Sequence, residues 1–150
     1  MKIWVDADAC PVVIKEILFR AAQRTKTAVI LVANQVLRVP RSPYIKSIQV
    51  SSGFDEADNE ILRRIASGDI LVSSDLPLVA GALDVGAAAL SPRGELFDRE
   101  TINAKLGMRD FMDTMRASGV ITGGPPAMGQ GDKKAFADHL DKLLVNRSSH

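Results

Sequence analysis

Three places in the chain set aspartates where they could do chemistry together: Asp6 with Asp8, Asp55 with Asp58, and Asp75. Carboxylates are hard oxygen ligands suited to magnesium and manganese. Two such cations about 4 Å apart can activate a water and stabilise a leaving oxygen in phosphodiester cleavage. Carboxylates crowded together without a cation or a proton repel one another, so convergence would favour metal binding. Each acid also has a plainer role. Asp8 suits the cap of a first helix, Asp55 the cap of a later one, and Asp75, just before Leu76-Pro77, the cap of a third. Asp6 is harder to explain that way, because a buried strand rarely ends in an acid.

The elements that must position these groups are legible. Lys2 to Val5 is an apolar run without polar alternation, as in a strand buried on both faces. It leads into Asp6, Asp8 and then a helix from Pro11 to about Arg24, with Val13, Ile14, Ile17, Leu18, Ala21 and Ala22 on one face. Ala28 to Ala33 predicts a second buried strand ending at Asn34. Residues 35–44, with Pro40 and Pro43, read as irregular, and Ser47 to Ser51 as a third strand. A helix from Asp55 to about Ser67 carries Ala57, Ile61, Leu62 and Ile65 inward, and Gly68 ends it. Asp69 to Ser74 predicts a fourth strand, Pro77 to Leu83 a short helix, and Ala87 to Leu90 a fifth strand stopped by Ser91-Pro92-Arg93-Gly94. One or two helices follow from Arg99 to Met115, with Ile102, Leu106, Phe111 and Met115 on the apolar side. An apolar strip around Phe111, Met112 and Met115 is either interface or core. Gly119 to Gly131 reads as loop. Asp132 is expected to cap a last helix that buries Phe136, Leu140, Leu143 and Leu144. Strands alternating with helices over the first 90 residues predict a parallel sheet with helices on both faces. Acids at strand C-termini then face the crevice where open sheets bind ligands.

The remaining reactive side chains lead elsewhere. Cys10 near a helix start would be a stabilised thiolate, but a phosphate-loop thiol enzyme needs an arginine where Glu16 stands, so a packed cysteine is expected. His139 is expected to be solvated on the last helix, and His150 lies in the tail. Ser73 and Ser74 could orient a phosphate or a carboxylate, although hydroxyls at sheet ends usually bond backbone. Gly123-Gly124-Pro125-Pro126 lacks the lysine of a phosphate loop.

Composition sets the frame. In 150 residues, 46% are hydrophobic and 25% charged, which describes an ordinary globular chain with room for one core. No apolar run reaches the roughly 18 residues of a membrane span, and the first residues enter a strand at once, so neither a membrane anchor nor a leader is expected. A lone cysteine excludes a disulfide framework and a Cys-based zinc cluster, and a cytoplasmic protein fits. Residues 17–54 contain no acid, while Arg20, Arg24, Lys26, Arg38, Arg41 and Lys46 all fall there. The distribution suits a polyanion handled by a cation-filled site, or simply a set of solvated surface charges.

Several motifs taken together resemble the YaiI/YqxD family of uncharacterised bacterial proteins. They are Val5-Asp-Ala-Asp-Ala-Cys-Pro11, Gly53-Phe-Asp-Glu-Ala-Asp58, Gly68-Asp-Ile-Leu-Val-Ser-Ser-Asp-Leu-Pro77, Ser91-Pro-Arg-Gly94 and Gly123-Gly-Pro125. The likeness extends to about residue 145. It implies a PIN-like domain, a group whose active members are metal-dependent ribonucleases. The implied fold is an α/β three-layer sandwich with a mostly parallel central sheet. One domain would span 1–150, with a core of about 1–95 and a helical part of about 97–146.

The resemblance matches Asp6 to the acid ending the first strand, Asp58 to the acid opening the later helix and Asp75 to the acid ending the next strand. These three would bind Mg2+ or Mn2+, with Asp8 as a further catalytic acid. The group usually carries one more acid before the later helix, and residues 17–54 have none. Asp8 or the neutral oxygen of Asn34 would have to substitute. Asn34, Arg38, Arg41, Lys46 and Ser74 are the expected contacts to RNA. Two other readings remain open. Asp6-Ala7-Asp8 after a strand also resembles the nucleophile and acid of haloacid dehalogenase-type phosphatases, although no convincing later acid pair follows. A module that binds RNA or protein without cleaving would keep the fold and tolerate the missing acid.

Overall fold

A computed structural model describes residues 1–51, 56–107 and 129–148, with the last three as backbone only. Strand β1 (Lys2–Asp6) passes through a single 3-10 turn, Ala7–Ala9, into helix α1 (Val12–Thr25). Strand β2 (Ala28–Ala33) follows, then β3 (Ile45–Gln49), α2 (Glu56–Arg64) and β4 (Ile70–Val72). Helix α3 (Leu76–Asp84), strands β5 (Ala88–Leu90) and β6 (Leu96–Phe97), a helix α4 over 99–107 and the last helix α5 (Gln130–Ser148) complete the described chain.

The sheet runs β3-β2-β1-β4-β5-β6, parallel except for the antiparallel edge pair β5–β6. Alternation along β1 explains the layering. Ile3 and Val5 pack under α1 and α5 with Ile14, Leu18, Phe136 and Leu140. Trp4 points the other way, under α2 and α3 with Ile61, Leu78 and Val79. The chain is thus the expected α/β three-layer sandwich. Helix α5 belongs to the first of these clusters, since Phe136, Leu140 and Leu144 are buried there.

The sequence boundaries shift for identifiable reasons. Strand β3 begins at Ile45, not Ser47, because the ladder with β2 starts as soon as the Pro40–Pro43 stretch is passed, with Val29 N–H donating to the Tyr44 carbonyl at 2.7 Å. The β2–β3 crossover uses no helix; Leu37, Val39 and Tyr44 cover the sheet in its place. Helix α2 stops at Arg64 and β4 begins at Ile70 because Asp69 takes over the turn between them. Its buried carboxylate accepts the N–H of Ala66, the N–H of Lys2 and the indole Nε1–H of Trp4, each at 3.0 Å.

That carboxylate fastens the start of β1 to the start of β4. Asp69→Ala would leave up to three donors without an acceptor, and a loss of about 2–4 kcal/mol is expected in urea unfolding. An unchanged midpoint would show that water replaces the carboxylate without cost.

Strand β6 has no counterpart in the sequence reading, being two residues long. Asp132 lies inside the first turn of α5 and reaches back to the Gly129 N–H at 3.0 Å, so it caps from within; the helix starts at Gln130, ahead of the expected end of the loop. The expectations for Asp55, for Phe111, Met112 and Met115, for most of the 119–131 loop, and for His150 lie outside the described residues.

Candidate functional site

Strands β1 and β4 are parallel neighbours, with Val5 level with Val72. After β1 the chain turns to α1 on one face, and after β4 to α3 on the other. Their carboxyl ends therefore bound the crevice that an open parallel sheet offers at its switch point. One step beyond the paired residues, Asp6 stands level with Ser73, and alternation puts Asp6 on the face of Trp4, towards α2 and α3.

Ser73 is buried and holds both sides of the crevice. Its hydroxyl donates to Asp6 Oδ2 at 3.2 Å and accepts the Asp75 N–H at 3.0 Å. Asp75 caps α3, its Oδ1 accepting the Leu78 N–H at 3.1 Å. Asp8 caps nothing: α1 has Pro11 at its start and no side-chain cap. Its Oδ2 instead accepts the Asn34 N–H at 2.9 Å and ties the turn after β1 to the end of β2. Each of these three acids thus fixes one oxygen in a structural bond. The others, Oδ1 of Asp6, Oδ1 of Asp8 and Oδ2 of Asp75, accept no hydrogen bond from a described residue.

Asp8 and Asp75, but not Asp6, line a cleft of about 210 Å³ together with Asn34, Ser51, Glu56, Ala57 and Asp58. Glu56 and Asp58 stand in the first turn of α2, and Asp75 starts α3. Both helices point their N-termini at the cleft, and their dipoles ease the cost of gathering acids there. Burial pushes the Asp6 carboxyl above its ordinary 3.8; the Ser73 hydrogen bond opposes the rise, and the charges of Asp75 and Asp8 add to it. Among the described residues no three acid, histidine or cysteine side chains form a ready ligand set. Glu60 is engaged by Arg63 and, at 2.5 Å, by Arg64.

The expected contacts to RNA are spread more widely. Asn34 lines the cleft, and Ser74 is exposed beside Asp75. Arg38 is exposed in the β2–β3 crossover. Arg41 precedes Ser42, whose carbonyl accepts the Ile45 N–H at the start of β3, so it sits at the opposite end of the sheet. Lys46 pairs with Ile30, roughly 10 Å below the cleft end of the sheet. Arg24, in the last turn of α1, is engaged with Asp141 at 2.6 Å. The basic residues of 17–54 therefore do not gather on the rim of the cleft.

Two cleft groups, Glu56 and Ser51, were passed over in the sequence. Glu56 supplies an acid just beyond the acid-free stretch, and its signal was the Asp-Glu-Ala-Asp run itself. Ser51 follows the last β2–β3 bond, Val50 N–H to the Ala33 carbonyl at 2.8 Å. Ser73, rather than Ser74, is the hydroxyl that touches Asp6. Cys10 is packed as expected, and burial pushes its thiol up to about 12, which keeps it protonated. His139 is half-buried rather than free in solvent: its Nδ1 lies 2.5 Å from the Gly94 carbonyl.

Fold and site together define a parallel α/β sandwich with an acidic cleft at its switch point. The chain belongs to the YaiI/YqxD family, whose description, still marked uncharacterized, matches residues 4–146. It is 65% identical over 147 residues to a UPF0178 protein of Thioalkalivibrio sulfidiphilus, covering 98% of this chain and 100% of that one. UPF0178 proteins of Colwellia psychrerythraea (62% over 145 residues, 97% and 96% covered) and Halorhodospira halophila (60% over 149 residues, 99% of each) are similar. No solved structure matches the chain. Among the described residues no helix is long and apolar enough to cross a membrane.

Proposed function

We propose that the protein is a divalent-metal-dependent phosphodiesterase of PIN-like type that acts on RNA in the cytoplasm. The observation that carries this reading is the division of labour within Asp6, Asp8 and Asp75. One oxygen of each is fixed by the fold and the other is left at the same end of the sheet. Such prefixed carboxylates suit a hard cation in kind. Asp6, Asp58 and Asp75 would hold Mg2+ or Mn2+, with Asp8 beside them. Glu56 lines the same cleft and stands in for the acid that residues 17–54 lack. A bound cation would neutralise the crowded carboxylates and acidify a water for attack on phosphorus. Asn34 and Ser51 add neutral hydrogen-bonding groups to the cleft lining, suited to phosphate or ribose oxygens. Arg38, Arg41, Lys46 and Ser74 would meet RNA only along a path running past the cleft.

Calorimetric titration with Mn2+ and Mg2+, followed by incubation with single-stranded RNA with and without EDTA, tests the reading. Saturable metal binding and EDTA-sensitive cleavage are expected. Tight RNA binding without cleavage across several metals would replace the enzyme with a binding module. Absence of metal binding would remove the nuclease label.

A further inference from the structure

We propose that the amino-terminal end of the sheet, opposite the acidic cleft, is a docking surface for the phosphate backbone of a nucleic-acid duplex. Strands β1, β2 and β3 are adjacent and parallel, so the residues leading into them share one end. Lys2 opens β1, Lys26 closes α1 just ahead of β2, and Arg41 precedes the Ser42 turn that starts β3. With neighbouring strands about 4.8 Å apart, these cations span a row of roughly 10 Å. Lys46 stands one step into the edge strand β3. Each is exposed, and none makes an ion pair with a described residue. Asp69, Asp84 and Asp141 also lie towards this end, but each is engaged. Arg24 holds Asp141, Arg99 holds Asp84, and the Asp69 carboxylate is buried beneath the N–H groups of Lys2, Trp4 and Ala66.

Lys26 carries a sign of use. Among the described residues it alone has a positive φ without being glycine (φ 55°), at a helix end where glycine or asparagine is the ordinary occupant. An exposed lysine held in strained backbone is the kind of outlier that points to a function. The makeup of the surface selects the partner. None of the exposed large apolar side chains among the described residues is aromatic, and Tyr44, after Arg41, is half-buried against the core. Unpaired bases need aromatic faces to stack on, and protein partners need aromatic anchors. A duplex keeps its own bases stacked and presents one negative charge per 1.7 Å, roughly six along a 10 Å row. Contacts to phosphates alone fix its position without reading its sequence. The far end of β1 is roughly 13 Å away at Asp6, so a duplex held here is anchored outside the acidic cleft and needs no metal.

Fluorescence anisotropy of short labelled RNA and DNA duplexes, with EDTA throughout and salt varied from about 50 to 200 mM, tests the assignment. The parent is compared with Lys26→Asn/Arg41→Gln and with Lys133→Gln/Lys134→Gln. The second pair removes the same charge at the start of α5, next to the Arg93–Asp132 contact at the cleft end. Asparagine tolerates positive φ and Arg41 is exposed, so the first pair is expected to fold, and thermal melts check it. The expected log–log slope of affinity against salt is about −3 to −4 for the parent. It should be shallower by about two in Lys26→Asn/Arg41→Gln and close to the parent in the lysine pair. Lys2→Gln, shallower by about one, reads the same surface should the first pair fail to fold. A preference for the RNA or the DNA duplex, lost in the same variants, supports the surface and names the source of its phosphates. Equal losses in the two pairs overturn it, because binding then follows net charge. A parent that leaves both duplexes unbound overturns it, as does one that binds phosphatidylserine vesicles or a single strand in their place. Duplex binding that persists when no Mn2+ binds would separate this surface from the metal reading.

Discussion

Asp6→Asn is expected to abolish saturable Mn2+ binding and to lower the rate of RNA cleavage by about 100-fold or more, the scale on which a single preorganised electrostatic group acts. Asparagine keeps an oxygen that can accept the Ser73 hydroxyl, so the β1–β4 link survives while the negative charge is lost. The fold is expected to survive too, and the pH dependence of stability shows why. Burial raises the Asp6 carboxyl above its ordinary 3.8, and Asp75 and Asp8 add to the rise. Between the ordinary and the raised value the folded state binds more protons than the unfolded one, so stability falls as pH climbs through that window. Above it the ionised Asp6 opposes folding. Asp6→Asn removes that penalty, and without metal the variant should melt no lower than the parent at neutral pH. Melting curves from mildly acidic to neutral pH check the sign: the parent loses this contribution as pH rises, and the variant does not. Full metal binding in Asp6→Asn would put the cation site elsewhere.

What could be read from the sequence and what could not divides along the range of the interactions. Strand β2 agrees residue for residue with its apolar run, and the parallel sheet follows from the alternation of strands and helices, because both depend on local patterning; the strand order that puts the switch point beside Asp6 came from the structure. Asp75 carried both a cap and a site in its local sequence, and the cap is present. Ser73 could not be separated from Ser74 without the β1–β4 register that sets it level with Asp6. The shortening of α2 and β4 needed the contacts of Asp69 with residues 65 and 67 positions away. Placing the basic stretch needed the same long-range information. Along the sequence it is continuous, but α1 and the β2–β3 crossover carry Arg24 and Arg41 to the end of the sheet away from the cleft. His139 looked like one more polar residue on an amphipathic helix until the turn at Gly94 closed over it.

Gly94→Ala is expected to be the most damaging single-atom addition outside the cleft, at about 2–5 kcal/mol. Two costs combine. Gly94 has φ +91°, in the region that disfavours side chains, which carries about 1–3 kcal/mol. A Cβ there would also lie 2.6 Å from Ala135 Cβ and 2.6 Å from the Phe136 backbone nitrogen. Phe136 is fully buried under the sheet, so α5 cannot retreat without opening the core, and overpacking adds about 1–3 kcal/mol. The same close approach lets the Gly94 carbonyl reach His139 at 2.5 Å and Arg93 reach Asp132 at 3.1 Å, so a displaced turn loses those bonds as well. Gly131, the second residue of α5, is the control: nothing lies within 4 Å of its would-be Cβ, and its φ is not positive. Alanine there should raise stability by up to about 1 kcal/mol through helix propensity. Urea unfolding of the two variants therefore predicts shifts of opposite sign. If Gly94→Ala unfolds at the parent midpoint, the Ser91–Gly94 turn does not hold α5 against the sheet, and the burial of Phe136, Leu140 and Leu144 alone would have to keep that helix in place.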